Sequence, residues 1–195
     1  MLRLHLQRKW SDIMQVIMIS GKSASGKTTF AQLLREQLES NGKTVLTIHF
    51  GDMVKDMLTR YYAWDGKKDT NGRALLQKLG TTIMRESFPT YWAEIVAKFI
   101  SAAHEWDYVL IPDLRFYNEF ETICQYNENV TTVRINRFDK EGKPYYNSNM
   151  RMNQLTHVSE CELDDFNFEY IIENRSDLAA LKESANLLIK MLEKE

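Results

Sequence analysis

A chain of 195 residues, 44 % hydrophobic and 27 % charged, can bury a sizeable core and has the balance of a soluble globular domain. A formal net charge of −2 speaks against a general nucleic-acid or membrane-surface binder, and no apolar run approaches the length of a membrane span. Cys124 and Cys161 stand far apart in no metal-ligand or C-x-x-C spacing and read as reduced thiols of a cytoplasmic chain.

Residues 1–13 are basic up to Asp12 and mix Leu with Arg and Lys ahead of Met14, where a compact domain can begin. The stretch is too short for a targeting peptide and lacks the apolar centre of one. It reads as an N-terminal extension to a single domain over residues 14–195.

Val16-Ile17-Met18-Ile19 is a short apolar run expected of a buried parallel strand. It leads into Gly21-Lys22-Ser23-Ala24-Ser25-Gly26-Lys27-Thr28, which fits the phosphate-loop pattern G-x-x-x-x-G-K-[ST] in full. Phe30, Leu33, Leu34 and Leu38 then recur at helical spacing, and Gly42 supplies a stop. In that strand–loop–helix order the glycines let successive N–H groups point at phosphate oxygens, and the helix N-terminus adds partial positive charge. The nucleotide-binding set is Gly21, Ser23, Ala24, Ser25, Gly26, Lys27, Thr28 and Thr29. Lys27 is catalytic, reaching the β- and γ-phosphates of ATP, and Thr28 holds Mg²⁺.

Thr44 to Ile48 reads as a second strand, ending at His49-Phe50-Gly51-Asp52. Ligands of open parallel sheets bind beyond the strands' carboxyl ends, so Asp52 and Lys55 fall on the functional side. Lys55 either touches an acceptor phosphate or is solvated. Asp52 either takes a hydroxyl or metal-bound water, or only caps the next helix.

A polar loop, Trp64 to Gly72, precedes an amphipathic helix marked by Leu75, Leu76, Leu79 and Ile83, with Arg85 near its end. Pro89 starts another, whose stripe is Trp92, Ile95, Val96 and Phe99. At this spacing Trp92 suits the core better than a ligand stack, and Arg85 could simply complement the helix dipole. Residues from about 51 to 105 have the position of an acceptor-binding insertion.

Tyr108 to Asp113 is a third strand closed by an acid, the Walker B arrangement. Asp113 there sits beside the phosphate loop, where it can hold the metal's water shell, with Arg115 in the same cleft. Pro112 removes a ladder donor, which the strand tolerates if it is ending there.

Val130 to Ile135 is a fourth strand, followed by Arg137 and the aperiodic stretch Phe138 to Asn153, carrying Lys140, Lys143 and Arg151. A loop of that length in a compact domain suggests a basic lid, over about residues 137–157, that closes on triphosphates. Arg137 is the preferred catalytic arginine and Arg151 the reserve. His157 opens a short helix as a structural residue or a general base. Phe166 to Ile172 reads as a fifth strand, and the last helix starts at Ser176 or Asp177 and buries Leu178, Leu181, Leu188 and Leu192.

Neither an N-K-x-D guanine-reading sequence nor a D-x-x-G switch is present, which favours a small-molecule kinase over a GTPase. At this point the residues resemble the phage-type deoxynucleoside monophosphate kinases. Asp113-Leu114-Arg115-Phe116-Tyr117-Asn118-Glu119 is similar to their D-[VL]-R-F-x-N-E stretch, and Leu76-Gln77-Lys78-Leu79-Gly80-Thr81 to their L-Q-x-L-G-T segment. His157-Val158-Ser159-Glu160 with Leu163, and Phe50-Gly51-Asp52 with Lys55, match two shorter elements. Thr82, Met84 and Tyr117 depart from the pattern, standing where Glu, Gly and Pro are usual.

The resemblance implies an α/β, three-layer P-loop kinase fold: a five-stranded parallel sheet flanked by helices, with a helical acceptor-binding insertion and a lid. It implies ATP- and Mg²⁺-dependent phosphorylation of a (deoxy)nucleoside monophosphate. The acceptor set is Asp52, Lys55, Arg85, Trp92 and Arg115, with Asn174 beside the donor adenine. The partner is thus a small-molecule nucleotide. DNA carrying a hydroxymethylated base, another phosphorylated metabolite and a non-catalytic ATP-binding module are the less favoured readings, and a homodimer is left open.

Overall fold

The computed structural model of the protein describes residues 14–102, 105–148, 150–175 and 177–193. The extension at 1–13 lies outside them. Five strands form one sheet: β1 (Gln15–Ser20), β2 (Val45–Thr47), β3 (Tyr108–Leu114), β4 (Val130–Arg137) and β5 (Tyr170–Asn174). Their order is β2-β3-β1-β4-β5, and every pairing is parallel.

The apolar run of β1 sits at the centre, with both faces covered, so Val16, Ile17, Met18 and Ile19 are all fully buried. Side chains alternate across a strand. Ile17 and Ile19, with Tyr108 and Leu110 of β3, enter one core with helices α1 (Lys27–Ser40) and, from the chain's C-terminal end, Leu178–Leu192. Val16 and Met18, with Val109 and Ile111, enter the opposite core. There they meet Ala93, Val96, Ala97 and Ile100, and Ile123 from a second helix. Each fully buried aliphatic side chain contributes about 1.5–3 kcal/mol. Helix–sheet–helix layering follows from this double burial.

Between β2 and β3 lie α2 (Asp52–Tyr61), α3 (Thr70–Gln77), a π-helical segment (Lys78–Ile83), α4 (Met84–Ser87) and α5 (Tyr91–Ala102). This unit has an apolar centre of its own in Val54, Leu58, Trp64, Leu79 and Trp92. After β3 comes α6 (Tyr117–Tyr126); α7 (Met152–Leu155) and α8 (Val158–Cys161) follow β4, and α9 (Leu178–Leu192) closes the chain. No helix among the described residues is long and apolar enough to cross a membrane.

Several boundaries differ from the sequence reading. β3 runs on through Pro112 to Leu114, because the register against β1 shifts between Met18 and Ser20. That bulge falls where proline's missing donor is not needed. The fifth strand begins at Tyr170 rather than Phe166, since Phe166 and Phe168 turn into an aromatic cluster with Phe120 and Tyr117. Ile83 and Phe99 were expected in apolar stripes, but both are exposed. The π segment adds a residue per turn and rotates Ile83 outward, and α5 buries Ala93, Ala97 and Ile100 in place of Phe99. Leu178 is also exposed, because Asp177 caps α9 and holds its first turn at the surface.

Candidate active site

Because the strands are parallel, the segments after β1, β2, β3, β4 and β5 share one rim. The phosphate loop, residues 21–28, leaves the central strand there. Gly21 has φ +150° and lies so close to β4 that a Cβ would meet the Ile135 carbonyl oxygen at 2.5 Å. Gly26 has φ +102°, and a Cβ there would lie 2.5 Å from Asn174 Nδ2. Both positions therefore require glycine. Ala24 holds φ +61°, a left-handed conformation uncommon for a residue with a side chain and concentrated at functional loops.

Lys27 arches over this loop and donates to the carbonyls of Gly21 (2.6 Å) and Lys22 (2.9 Å). Burial first, and the Arg115 guanidinium next, push its ammonium down to about 7. Thr28 and Thr29 lie exposed in the first turn of α1, and Thr28 faces the cavity described below. Asn174, at the end of β5, donates to Ser25 O at 2.8 Å and so braces the loop from beneath.

Asp113 faces the same cavity, and its two carboxylate oxygens accept from the N–H groups of Phe50 and Gly51, both at 3.0 Å. An acid held this way keeps lone pairs for metal-bound water. No cluster of three or more His, Cys, Asp or Glu that could hold a metal occurs among the described residues. Thr28 and Asp113 fit Mg²⁺, which usually takes one or two protein oxygens and otherwise relies on phosphates and water.

A cavity of about 510 Å³ runs from the loop to the helical unit between β2 and β3. It is lined by six cationic side chains, Lys27, Lys55, Lys68, Arg73, Arg85 and Arg115, against three carboxylates, Asp113, Glu119 and Glu160. Phe50, Trp92 and Phe116 add aromatic wall. Trp92 is also core: it is buried and donates its indole N–H to Gly80 O at 3.1 Å.

Asp52 does not line the cavity. It accepts from Lys55 Nζ at 2.7 Å and from His49 N at 3.0 Å, anchoring Lys55 at the wall. Burial alone would raise the Asp52 carboxyl, but its bonds with His49 and Lys55 outweigh that and hold it well below the ordinary carboxylate range. Arg85 lies 4.0 Å over the Phe116 ring and pairs with Glu119. Glu119, buried, also accepts from the backbone N–H groups of Arg115 and Phe116, closing the first turn of α6. Its burial raises the carboxyl and Arg85 pulls it back.

Arg115 pairs with Glu160 and donates to Ser159 O at 2.8 Å. The other oxygen of Glu160 accepts from Ser23 N at 2.7 Å, so one carboxylate of α8 bridges the phosphate loop and Arg115. Burial opposes ionisation of Glu160, yet Arg115 and the Ser23 amide keep its carboxyl below the usual value.

Sequence reasoning missed Lys68, Arg73, Glu119 and Glu160 as site residues. Gly72-Arg73 after a polar loop and the glutamates inside two family-like motifs were the available signals. For Lys68, burial first and then Lys55 and Arg73 lower the ammonium, as expected where cations crowd.

Arg137 is not in the cavity wall. β4 continues through residue 137, and the side chain stacks 4.2 Å over Tyr145 and donates to Ala24 O at 2.9 Å, on the loop's outer flank. Arg151 is exposed at the start of α7. His157 caps α8, its Nδ1 accepting from Ser159 N at 3.2 Å, and burial followed by Arg115 lowers its pKa. The segment from 138 to 155 does reach the site: buried Asn147 donates to Ser23 Oγ at 3.0 Å, and Gln154 to Thr70 O at 3.3 Å.

The strand order, the loop and its lysine together define the fold of P-loop kinases. In sequence, the family described as adenylylsulphate kinase matches residues 14–97. No curated protein matches the chain. Among solved structures, the APS kinase of Mycobacterium tuberculosis in complex with AMPPNP and APS superposes with a TM-score of 0.52, covering 93 % of this chain and 98 % of that one at 12 % identity. A sugar kinase from Janibacter sp. gives 0.53, with 91 % and 95 % covered at 14 % identity. The shikimate kinase of Acinetobacter baumannii in complex with shikimate gives 0.50, with 94 % and 95 % covered at 17 % identity. At these identities the likeness establishes the fold.

Proposed function

We propose that the protein transfers the γ-phosphoryl group of ATP to the phosphate of a (deoxy)nucleoside monophosphate. One observation carries this reading: the cavity that begins at Lys27 is walled by an excess of cations, while each of its three carboxylates is already engaged. Asp113 is held by two backbone N–H groups, Glu119 by Arg85 and two more, and Glu160 by Arg115 and Ser23 N. A hydroxyl acceptor needs a carboxylate or imidazole to take its proton, and His49, tied to Asp52 through Nδ1, is an imidazole of the wall that could serve one. A phosphate acceptor is already an anionic nucleophile and needs only positioning and charge neutralisation, which Lys55, Arg85 and Arg115 are suited to supply. The buried rings of Phe50 and Phe116 edge the wall, and about 510 Å³ lies within the range of small-molecule sites. The motif resemblance supports the same acceptor class.

In this reading ATP's polyphosphate lies on residues 21–28, with Mg²⁺ held through Thr28 and the water shell of Asp113. When bound, the ion would neutralise charge on the phosphates. Lys27 then orients the β- and γ-oxygens, and Asn174 keeps the loop in place beneath the donor.

The match to adenylylsulphate kinases over residues 14–97 favours a second acceptor, an adenine nucleotide bearing sulphate. Measuring ADP release across the ribo- and deoxyribonucleoside monophosphates, with adenylylsulphate and shikimate alongside, separates the two. We expect turnover with at least one monophosphate; turnover with adenylylsulphate or shikimate alone refutes the assignment.

A further inference from the structure

Three of the six cations of the cavity are paired with a carboxylate. Lys55 is held by Asp52, Arg85 by Glu119 and Arg115 by Glu160. Arg73, like Lys68, is not: among the described residues no carboxylate pairs with it. Its Nη1 donates to Ser23 Oγ at 3.3 Å, and its Nε is buried without an acceptor. A buried N–H left unsatisfied is costly, and a water, an ion or a ligand can complete it.

The position of this guanidinium is specific. Ser23 is the third residue of the phosphate loop, next to the Lys22 carbonyl on which the Lys27 ammonium rests. Arg73 and Lys27 therefore converge on the edge of the loop that faces the cavity, where a nucleotide's terminal phosphate projects toward the acceptor. Arg73 is borne on the first turn of α3, fixed by Asp69, whose carboxylate accepts from Gly72 N at 2.8 Å. It belongs to the same helical unit as Lys55 and Arg85.

We propose that Arg73 is a catalytic residue whose guanidinium contacts the γ-phosphoryl oxygens during transfer. The inference rests on reading the site as one for ATP-dependent phosphoryl transfer. In that step an oxygen of the acceptor phosphate supplies the electron pair of the new P–O bond. The bond from the γ-phosphorus to the β,γ-bridging oxygen breaks, ADP leaves with that pair, and no proton has to move. Charge spreads over the equatorial oxygens, and a planar guanidinium can bridge two of them. The arginine arrives with the acceptor-side helices, whereas Arg137, from the β4 side, is turned to the loop's outer flank.

The test uses the full chain with Mg²⁺ and ADP, with and without aluminium fluoride, which mimics the transferring group. We expect wild-type protein to bind ADP at least about tenfold tighter with fluoride, as a charge-assisted hydrogen bond made only to the transferring group implies. Arg73→Gln should lose that enhancement while keeping ADP affinity within about twofold, and Arg73→Lys should retain part of it. Acceptor-driven turnover of Arg73→Gln should fall on the order of 10³-fold, with free guanidinium restoring part of the loss. The proposal is overturned if Arg73→Gln keeps the fluoride enhancement, if it loses ADP affinity by the same factor, or if wild-type protein shows no enhancement. Should Arg73→Gln fail to fold, Arg73→Lys decides: a partial loss supports the assignment and an undiminished enhancement overturns it. The fluoride complex needs no acceptor, so an error in the acceptor class shows only in the monophosphate screen.

Discussion

Lys27 is the residue whose chemistry the fold alters most. With its ammonium pushed down to about 7, the nucleotide-free loop is close to half protonated at neutral pH. A bound polyphosphate favours the charged form, so binding raises this pKa. The stabilisation is then complete below about pH 7 and is lost as the pH rises through the higher value of the complex. Titration calorimetry in buffers of different ionisation enthalpy should find proton uptake on ATP binding approaching one per nucleotide at pH 8 and near zero at pH 6. Lys27→Ala should lower turnover by on the order of 10²–10³-fold or more, the scale for losing a preorganised charge donor. Its thermal midpoint should hold or rise, since a half-buried cation is removed. Loop residues such as Lys27 and Thr28 were legible because the motif is local: strand, glycines and helix start specify it within a few residues. Glu160 and Arg73 were not, because each reaches Ser23 from 50 or more positions away along the chain. Arg137 shows the converse. Its charge was readable, but its direction depended on β4 running two residues further than its apolar run. Removing it should raise the KM for ATP several-fold through the loop and leave the acceptor KM unchanged, a split that steady-state kinetics reads directly.

Elements were easiest to find where burial is two-sided and hardest where a helix changes its winding. The apolar run of β1 needed no context. The segment marked by Leu75, Leu76, Leu79 and Ile83 reads as one amphipathic helix, yet it passes through a π-helical stretch at Lys78–Ile83 that turns Ile83 to solvent. Wider turns leave carbonyls less well paired, and Trp92 from α5 answers one of them, its indole N–H meeting Gly80 O. Trp92→Phe keeps most of the apolar contact but strands that buried carbonyl. We expect a loss of about 1–3 kcal/mol in urea unfolding; a loss of zero would show that the hydrogen bond is not what holds the π segment against α5. The same spacing rule placed Trp92 in the core, and the structure adds that its edge also lines the cavity. A residue can serve both, which periodicity alone does not distinguish.

At the scale of the molecule, alternation of strand and helix was enough to give a parallel three-layer fold, whereas the meeting of distant segments over the loop was not readable. Ser23 is that meeting point. Arg73 approaches from the helical unit, Asn147 from the segment after β4 and Glu160 from α8. A ligand that rearranges Ser23 acts on all three at once. Hydrogen exchange with a non-hydrolysable ATP analogue should therefore slow amides in residues 70–77 and 145–155 together, with matching concentration dependence. Slowing confined to residues 21–28 would mean that these contacts are passive.

The helices between β2 and β3 keep an apolar centre apart from the two that sandwich the sheet. If this unit holds the acceptor, as proposed, acceptor preference can drift, or be transplanted from a relative, as a cassette. A graft joined at the ends of β2 and β3 has to match the inner side of α5, Asp113, Asn118 and Glu119 after β3, Gln154 of α7 and the neighbours of Ser23. Evolution could thus retool what is phosphorylated while the half that handles the phosphoryl donor stays as it is.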